Sequence, residues 1–537
     1  MHHNLLLILS LLFLVFLLVM LANRVKLAYP IFLVIAGLGI SFIPGMPRLS
    51  LDPDIVFMIF LPPLLYEAAW YTSWTDFWKW RRPISMLAFG LVFFTSLVVA
   101  YVSQSMIPGF TLAMGFLLGG IVSPPDAVAA ATVLKGLPAP KRAITILEGE
   151  SLVNDASSLI VFRFALAAIL TSSFSLQVAI GQFFLVAGMG IAIGIIGANI
   201  MYMIHRFLPT TAPIDAALTV MTPYLLFLAA EQFHFSGVMA VVSGGLFISW
   251  RSHEIFQTGN TRLNMLGVWT TMIFVMNALV FILIGLQLPH IIENLERGSL
   301  WEGIKYGLMI SLIAIAVRMA WVYPATFIPR WLFPSIRRRE SSPTWKGPLL
   351  IGWAGMRGVV SLATALSIPL FMNDGVTPFP KRNLIIFITF VVIFVTLVIQ
   401  GLTLPLVIKF FRIREIDPSV PEEEQAANIQ LDLDRLALNI IRTDFTEQLS
   451  INNLLSFYKS AIEYDVENNE QRLSSLERCS HDRSDIHEYN EALLSIYRQQ
   501  RKELFRFRKE KLYADSVIRK AELQLDLNEL KVTGTSH

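Results

Sequence analysis

Charge and cysteine are both scarce in this sequence. Asp, Glu, Lys and Arg make up 15% of its 537 residues, against about 25% in an average soluble domain. There is a single cysteine, Cys479. One thiol excludes an intrachain disulfide and a cysteine-based zinc site. The net charge is only +3, and the basic residues sit in short segments between apolar runs, so no nucleic-acid-binding face is assembled. Neither a GxSxG nor an HExxH run occurs. What the chain has in abundance is apolar: 54% of residues are hydrophobic and the mean hydropathy is +0.58. Most of this polypeptide is built to dissolve in lipid.

A helix needs about 20 apolar residues to cross a bilayer. On that rule the sequence predicts about thirteen spans, near 4–22, 27–44, 53–71, 83–107, 109–134, 143–170, 175–204, 214–232, 235–250, 262–289, 302–332, 346–370 and 384–411. The first lacks Lys or Arg before its apolar run and carries Arg24 and Lys26 after it. It therefore reads as a retained helix rather than a signal peptide. His2 and His3 suggest no metal site. Loops after odd-numbered spans hold most of the positive charge, including Arg24, Lys26, Lys79, Arg81, Arg82, Lys135, Lys141, Arg142, Arg206, Arg251, Arg262, Arg337, Arg338, Arg339 and Lys346. Exceptions in the other loops are Arg48, Arg297, Lys305, Lys381 and Arg382. The positive-inside rule then puts the N-terminus outside and the C-terminus in the cytoplasm. Two domains are expected: 1–414 in the membrane and 415–537 as a charged, helical cytoplasmic tail. The tail opens with the linker-like PSVPEEEQ, contains no GxxxxGK[ST] cradle, and should pack on itself or on a second copy.

Ionisable groups deep in a span are costly and mark function. The sixth span carries Glu148-Gly149-Glu150-Ser151-Leu152-Val153-Asn154-Asp155. Asp155 lies about 20 Å beyond Arg142, near mid-membrane, at 1.5 Å rise per residue. Glu148, Ser151 and Asp155 share one helical face, and Glu150 and Asn154 form an adjacent i, i+4 pair. Such a face supplies hard oxygen ligands for a dehydrated cation. Burial disfavours a bare carboxylate, so a proton and a cation compete for the same acid. The plainer reading is a set of helix-packing hydrogen bonds, which usually use Ser, Thr or Asn rather than acids.

In the fifth span, Ser123-Pro124-Pro125-Asp126 must break the helix, because two prolines remove two backbone donors. Asp126 then faces a half-helix N-terminus, either as a site residue or simply as its cap. In the twelfth span, Arg357 sits within Gly352-Trp353-Ala354-Gly355-Met356-Arg357-Gly358. It is too deep to reach water and needs a carboxylate, for which Glu150 is the expected partner. The fifth and twelfth spans are equivalent members of two six-span sets that enter the membrane from opposite sides. Interrupted helices at matching positions of inverted repeats point to a transport site.

Other features are weaker. Leu61-Pro62-Pro63 kinks the third span and sets Glu67 towards the cytoplasm, as a vestibule acid or an interfacial anchor. Arg163 is expected to pair locally in the outer half. Ser236-Gly237 and Asn277 are expected to serve packing, and Gly188-Met189-Gly190 with Gly194 to make a close helix contact.

With these residues in place, the chain resembles the cation:proton antiporter superfamily, in its electroneutral Na⁺/H⁺ exchanger and NhaP-like branch. The resemblance covers about the first 411 residues. It rests on FLPPLLYEAAW, GGIVSPPDAVAA, EGESLVNDASSL, FSGVMAVVSGGL and GMRGVVSLA. It implies thirteen spans, a homodimer, and a core that moves like an elevator against a dimerisation domain. By resemblance, Asp155 is the transport aspartate, and Asn154, expected beside it in the cation- and proton-binding site, marks one-for-one exchange. Ser151 and Asp126 match cation-site positions, while Glu150 and Arg357 match a core ion pair; Glu67 and Glu148 are vestibule candidates. The prolines here precede Asp126, and no threonine stands directly before the acid, which bears on Na⁺ against K⁺ or Li⁺.

The expectation is thus an all-α polytopic membrane protein, a secondary antiporter in the plasma (inner) membrane. It exchanges Na⁺, or alternatively K⁺ or Li⁺, for H⁺ without a cofactor or enzymatic activity. Its partners are monovalent cations, protons, lipid and a second copy, not nucleic acid. A cation channel would need a multi-subunit selectivity ring, and an intramembrane hydrolase has only two aspartates to stand on.

Overall fold

The structure, a computed structural model, describes residues 2–43, 56–171, 176–256, 258–293, 295, 300–334, 344–374, 376–413, 422–478, 483–510, 513 and 515–534. Arg48, Arg297, Arg337, Arg338, Arg339 and Cys479 lie outside these, as does the start of the PSVPEEEQ linker. The chain divides into two compact units, Met1–Asp417 and Pro418–His537.

The fold is all-helical. Backbone polar groups in lipid must be satisfied internally, and a helix does this within one segment. Among the described residues, nine helical stretches are long and apolar enough to cross a membrane: Ile8–Val25, Arg81–Met106, Leu112–Leu134, Lys141–Thr171, Ile180–Phe207, Ala212–Gln232, Gly259–Glu293, Leu300–Leu332 and Arg382–Phe411. Shorter apolar helices occupy other positions at which the sequence predicts spans: Tyr29–Ser41, Leu61–Tyr71, Gly237–Trp250 and the pair Lys346–Trp353 and Val359–Leu366.

Two helices are interrupted, both where the sequence predicts it. Leu112–Val122 stops before Ser123-Pro124-Pro125, and Ala127–Leu134 resumes beyond. Lys346–Trp353 stops before Gly355, and Val359–Leu366 resumes after Gly358.

Close helix contacts are made where small residues permit them. A Cβ on Gly285 would stand 2.4 Å from the Val34 carbonyl oxygen, and one on Gly37 would stand 2.5 Å from that of Ile282. The Tyr29–Ser41 and Gly259–Leu286 helices therefore touch backbone to backbone. Gly190 and Gly194 likewise press on Ser236 and Ala240, as the sequence suggests, whereas Gly188 meets nothing.

Buried apolar side chains form two clusters in the membrane unit. One holds Val34, Leu117, Ile146, Leu147, Phe162, Phe281 and Ile385; the other holds Leu61, Leu65, Tyr66, Leu152, Ala156, Val241 and Trp269. The Lys141–Thr171 helix contributes to both. Leu152 and Ala156, which flank Asp155 on this helix, pack in the second cluster.

The tail unit consists of helical hairpins. Glu422–Asp444 packs against Asn453–Arg478 through Leu438, Ile441 and Ile462, with Arg435–Glu470 and Arg442–Glu463 ion pairs at 2.6 and 2.9 Å. Arg483–Lys509 pairs with Asp515–Gly534 through Arg501–Asp526, Arg501–Glu529 and Arg508–Glu522.

Overpacking a tight helix contact costs about 1–3 kcal/mol. Gly285→Ala should lower the thermal unfolding temperature of the detergent-solubilised protein. Gly267→Ala, where a Cβ meets nothing within 4 Å, should not.

Candidate functional site

The two interruptions cross and bond to each other. The Asp126 amide donates to the Met356 carbonyl at 2.7 Å, and the Arg357 Nε donates to the Val122 carbonyl at 2.9 Å. The Arg357 amide donates to Thr396 Oγ1 at 3.1 Å, and its Nη1 donates to the Gly355 carbonyl. Arg357 therefore sits at the C-terminal end of the first half-helix, where its positive charge meets the negative end of the helix dipole.

Asp126 does the converse at the next half-helix. Its Oδ1 accepts from the Val128 and Ala129 amides at 2.9 and 3.2 Å, so it is the N-cap of Ala127–Leu134. The cap reading holds, and the same carboxylate also lines a cavity. Gly358 makes room for it: a Cβ there would lie 1.7 Å from Asp126 Oδ2. The start of Val359–Leu366 has no side-chain cap, and Gly358, Val359, Val360 and Ser361 line the same cavity. Two positive half-helix ends thus converge on it and offset the negative charge of the aspartates.

The cavity measures about 350 Å³. Its polar wall comprises Asp126, Asp155, Glu67, Glu148, Ser151, Thr132, Ser361, Asn277, Tyr29 and Tyr71. No Lys, Arg or His lines it among the described residues. The Ser151 hydroxyl accepts from the Ala127 amide at 3.4 Å, tying the Lys141–Thr171 helix to the broken one. Asp155 is 6% exposed. Four carboxyl groups, five hydroxyls and an amide, with no cationic side chain among them, are oxygen-rich chemistry suited to a small cation and to protons.

Two sequence expectations are corrected here. Glu150 does not pair with Arg357. It lies away from the cavity and takes a bidentate bond from Arg318, with Nη1–Oε1 at 2.6 Å and Nη2–Oε2 at 2.7 Å; both side chains are fully buried. Arg318 Nε also donates to the Ile351 carbonyl at 3.2 Å, so a second guanidinium sits at the end of the other interrupted half-helix. Gly355 leaves the space, since a Cβ there would be 2.3 Å from Arg318 Cδ. The partner was detectable in sequence: Arg318 is the lone charge in LMISLIAIAVRMAWVYPA and meets the same rule that singles out Arg357. Arg163 does not pair locally either. It donates to both carboxylate oxygens of Glu231, 68 residues away, at 3.0 and 2.9 Å, and Glu231 also accepts from the Gly237 amide.

Asn154 is likewise off the cavity wall. It is fully buried, and neither its amide nitrogen nor its oxygen has a hydrogen-bond partner among the described residues. Asn277, assigned to packing from sequence, instead lines the cavity. Ser236 caps Gly237–Trp250 by accepting from the Met239 amide at 3.2 Å, which is a packing role.

A pair of crossed, interrupted helices over a carboxylate cavity defines a membrane ion-transport fold. The family model described as "Sodium/hydrogen exchanger, transmembrane" matches residues 9–410, and the chain belongs to this family. It is 35% identical over 395 residues to a Bacillus subtilis protein named "Sodium, potassium, lithium and rubidium/H(+) antiporter", covering 72% of this chain and 58% of that one. The chain thus spans under two thirds of the length of that relative. An uncharacterized Na⁺/H⁺ exchanger of Mycobacterium tuberculosis is 30% identical over 528 residues, 95% of this chain and 93% of its own. Among solved structures, the sodium proton antiporter MjNhaP1 of Methanocaldococcus jannaschii matches with a TM-score of 0.56 at 19% identity, covering 74% of this chain and 95% of that one. That likeness is one of fold.

Breaking a buried ion pair leaves an uncompensated charge and costs about 3–5 kcal/mol. Glu150→Ala and Arg318→Ala should each lower the unfolding temperature in detergent. Arg357→Ala should leave the bidentate Glu150–Arg318 bond intact, so a double-mutant cycle should show weaker coupling of Glu150 to Arg357 than to Arg318.

Proposed function

We propose that this chain is a secondary antiporter that exchanges one monovalent cation for one proton, with Na⁺ as the primary substrate. The observation that carries this is the placement of Asp155, Asp126 and Ser151 on one cavity between interrupted helices, with no cationic side chain on its wall. K⁺ and Li⁺ are the alternative substrates. The printed name of the Bacillus relative, which spans four alkali cations, supports keeping them.

Asp155 holds either a proton or a partly dehydrated cation. Ser151 and Asp126 complete the cation site. Glu67 and Glu148 lie on the same wall and draw cations towards it. Asp126 stays in place as the cap of a helix. Asn154 carries no charge, so replacing H⁺ by a single cation at Asp155 leaves the loaded charge unchanged and makes exchange electroneutral. Glu150 and Arg318, with Arg357, brace the crossing from behind.

With the positive-inside orientation, Glu148 lies on the cytoplasmic side of Asp155, and the cavity opens to the cytoplasm. The Arg163–Glu231 pair lies on the opposite side of Asp155, eight residues along the same helix, and ties it to the Ala212–Gln232 helix. Alternation gives Asp155 access first to one side of the membrane and then to the other. The protein works as a homodimer in the plasma (inner) membrane, with thirteen crossings, the N-terminus outside, the C-terminal domain from about 415 in the cytoplasm, and no enzymatic activity or cofactor.

Asp155→Asn should abolish Na⁺-driven proton movement in proteoliposomes while the protein stays folded; full activity in that variant would overturn the assignment. Gly358→Ala, which displaces Asp126, should lower turnover by about a hundredfold, the scale expected for a 1 Å misplacement at a reacting centre. Gly347→Ala, with open space around it, should not. Because protons compete with the cation, the apparent Na⁺ affinity should fall as cytoplasmic-side pH falls. Exchange should persist with the membrane potential clamped at zero, and a current proportional to turnover would refute electroneutrality.

A further inference from the structure

The first tail helix, Glu422–Asp444, has two apolar faces, and its hairpin uses only one. Leu431, Leu438 and Ile441 are buried, the last two against Ile462 of Asn453–Arg478. Ile429, Leu433, Leu436 and Ile440 point elsewhere and are 61%, 55%, 54% and 40% exposed. Their spacing is 4, 3, 4, the heptad seam that knobs-into-holes packing requires. A solvated hairpin has no use for such a row, since exposed apolar seams of this regularity mark an interface.

We propose that this seam docks on its own copy, in an antiparallel helix pair between the tails of two chains. The order of the side chains selects that partner. Read from either end the seam is Ile-Leu-Leu-Ile with the same spacing. A two-fold axis between Leu433 and Leu436 therefore sets Ile429 against the partner's Ile440 and Leu433 against the partner's Leu436. Such a patch is self-complementary, as a two-fold interface demands. The flanks agree: the residues bordering the seam are Gln430, Asp432, Ala437 and Asn439. In the antiparallel register Asp432 meets Asn439 and Gln430 meets Ala437, so no like charges are opposed. The nearby charges Arg435 and Arg442 are already paired within the hairpin and do not compete.

The seam is about 16 Å long at 1.5 Å rise per residue. That is less than the roughly 800 Å² per partner of a standard stable interface would need. The contact is accordingly weak between free tails and forms when two chains are held together in the membrane, where the local concentration is on the order of millimolar. The inference does not depend on the exchange reading, because its test measures no transport.

In full-length protein carrying Cys479→Ser, single cysteines at Ile429, Leu433, Leu436 and Ile440 are treated in native membranes with a short bis-maleimide. Leu433→Cys and Leu436→Cys, beside the axis, should give chain-to-chain cross-links in most of the protein. Ile429→Cys and Ile440→Cys should not cross-link alone, but should do so when the two variants are co-expressed. Helical circular dichroism of each variant checks that these exposed substitutions leave the hairpin folded. Absence of cross-linking at Leu433 and Leu436 in folded protein overturns the proposal. So does equal cross-linking at all four positions, which signals a parallel pair, and so does labelling of Leu436→Cys by a lipid-phase reagent, which makes the membrane the occupant.

Discussion

The transport region turns on two hydrogen bonds between two broken helices, from the Asp126 amide to the Met356 carbonyl and from the Arg357 side chain to the Val122 carbonyl. Unwound backbone at membrane depth is tolerated only where its polar groups find partners, and here each break supplies partners for the other. The consequences follow outward. The crossing leaves two half-helix starts pointing at one cavity and two half-helix ends pointing away from it. Positive side chains, Arg357 and Arg318, sit at the ends. A negative one, Asp126, sits at a start. The aspartate at the helix start lines the cavity, and the two arginines at the helix ends do not.

This sorting explains the division of labour along Glu148–Asp155. One face of the helix, with Glu148, Ser151 and Asp155, meets the cavity; the other, with Glu150 and Asn154, meets the interior. Glu150 is bidentate to Arg318 and does not line the cavity. Buried pairs of this kind give little net stability but are costly to break, so the role of this one is positional. It fixes the rotation of a helix whose Asp155 carboxylate lines the cavity.

Much of this was legible in the sequence, because membrane depth makes every polar residue informative. The double proline, Asp126, Arg357 and the acidic run of the sixth span all stand out against apolar neighbours, and the breaks fall where proline and glycine place them. Pairing was harder to read. Arg318 lies 168 residues from Glu150, and only the fold brings them together; Arg357 meets the same sequence rule but bonds to the Val122 carbonyl instead. Arg163 and Glu231 fail for the same reason, since their contact crosses between helices. Asn277 escaped because a single amide in an apolar helix has the same look whether it packs or lines a cavity. Ion choice is not written in residue types at all: Na⁺, K⁺ and Li⁺ take the same oxygens and differ in the size of the space between them.

The central claim is that one carboxyl group, Asp155, exchanges a proton for a cation. Proton release measured while Na⁺ is titrated into weakly buffered, detergent-solubilised protein tests it without any membrane gradient. The account predicts about one proton released for each Na⁺ bound, and none from Asp155→Asn. Saturable Na⁺ binding to the unaltered protein with no proton release, or the same release from the Asp155→Asn protein, would contradict it.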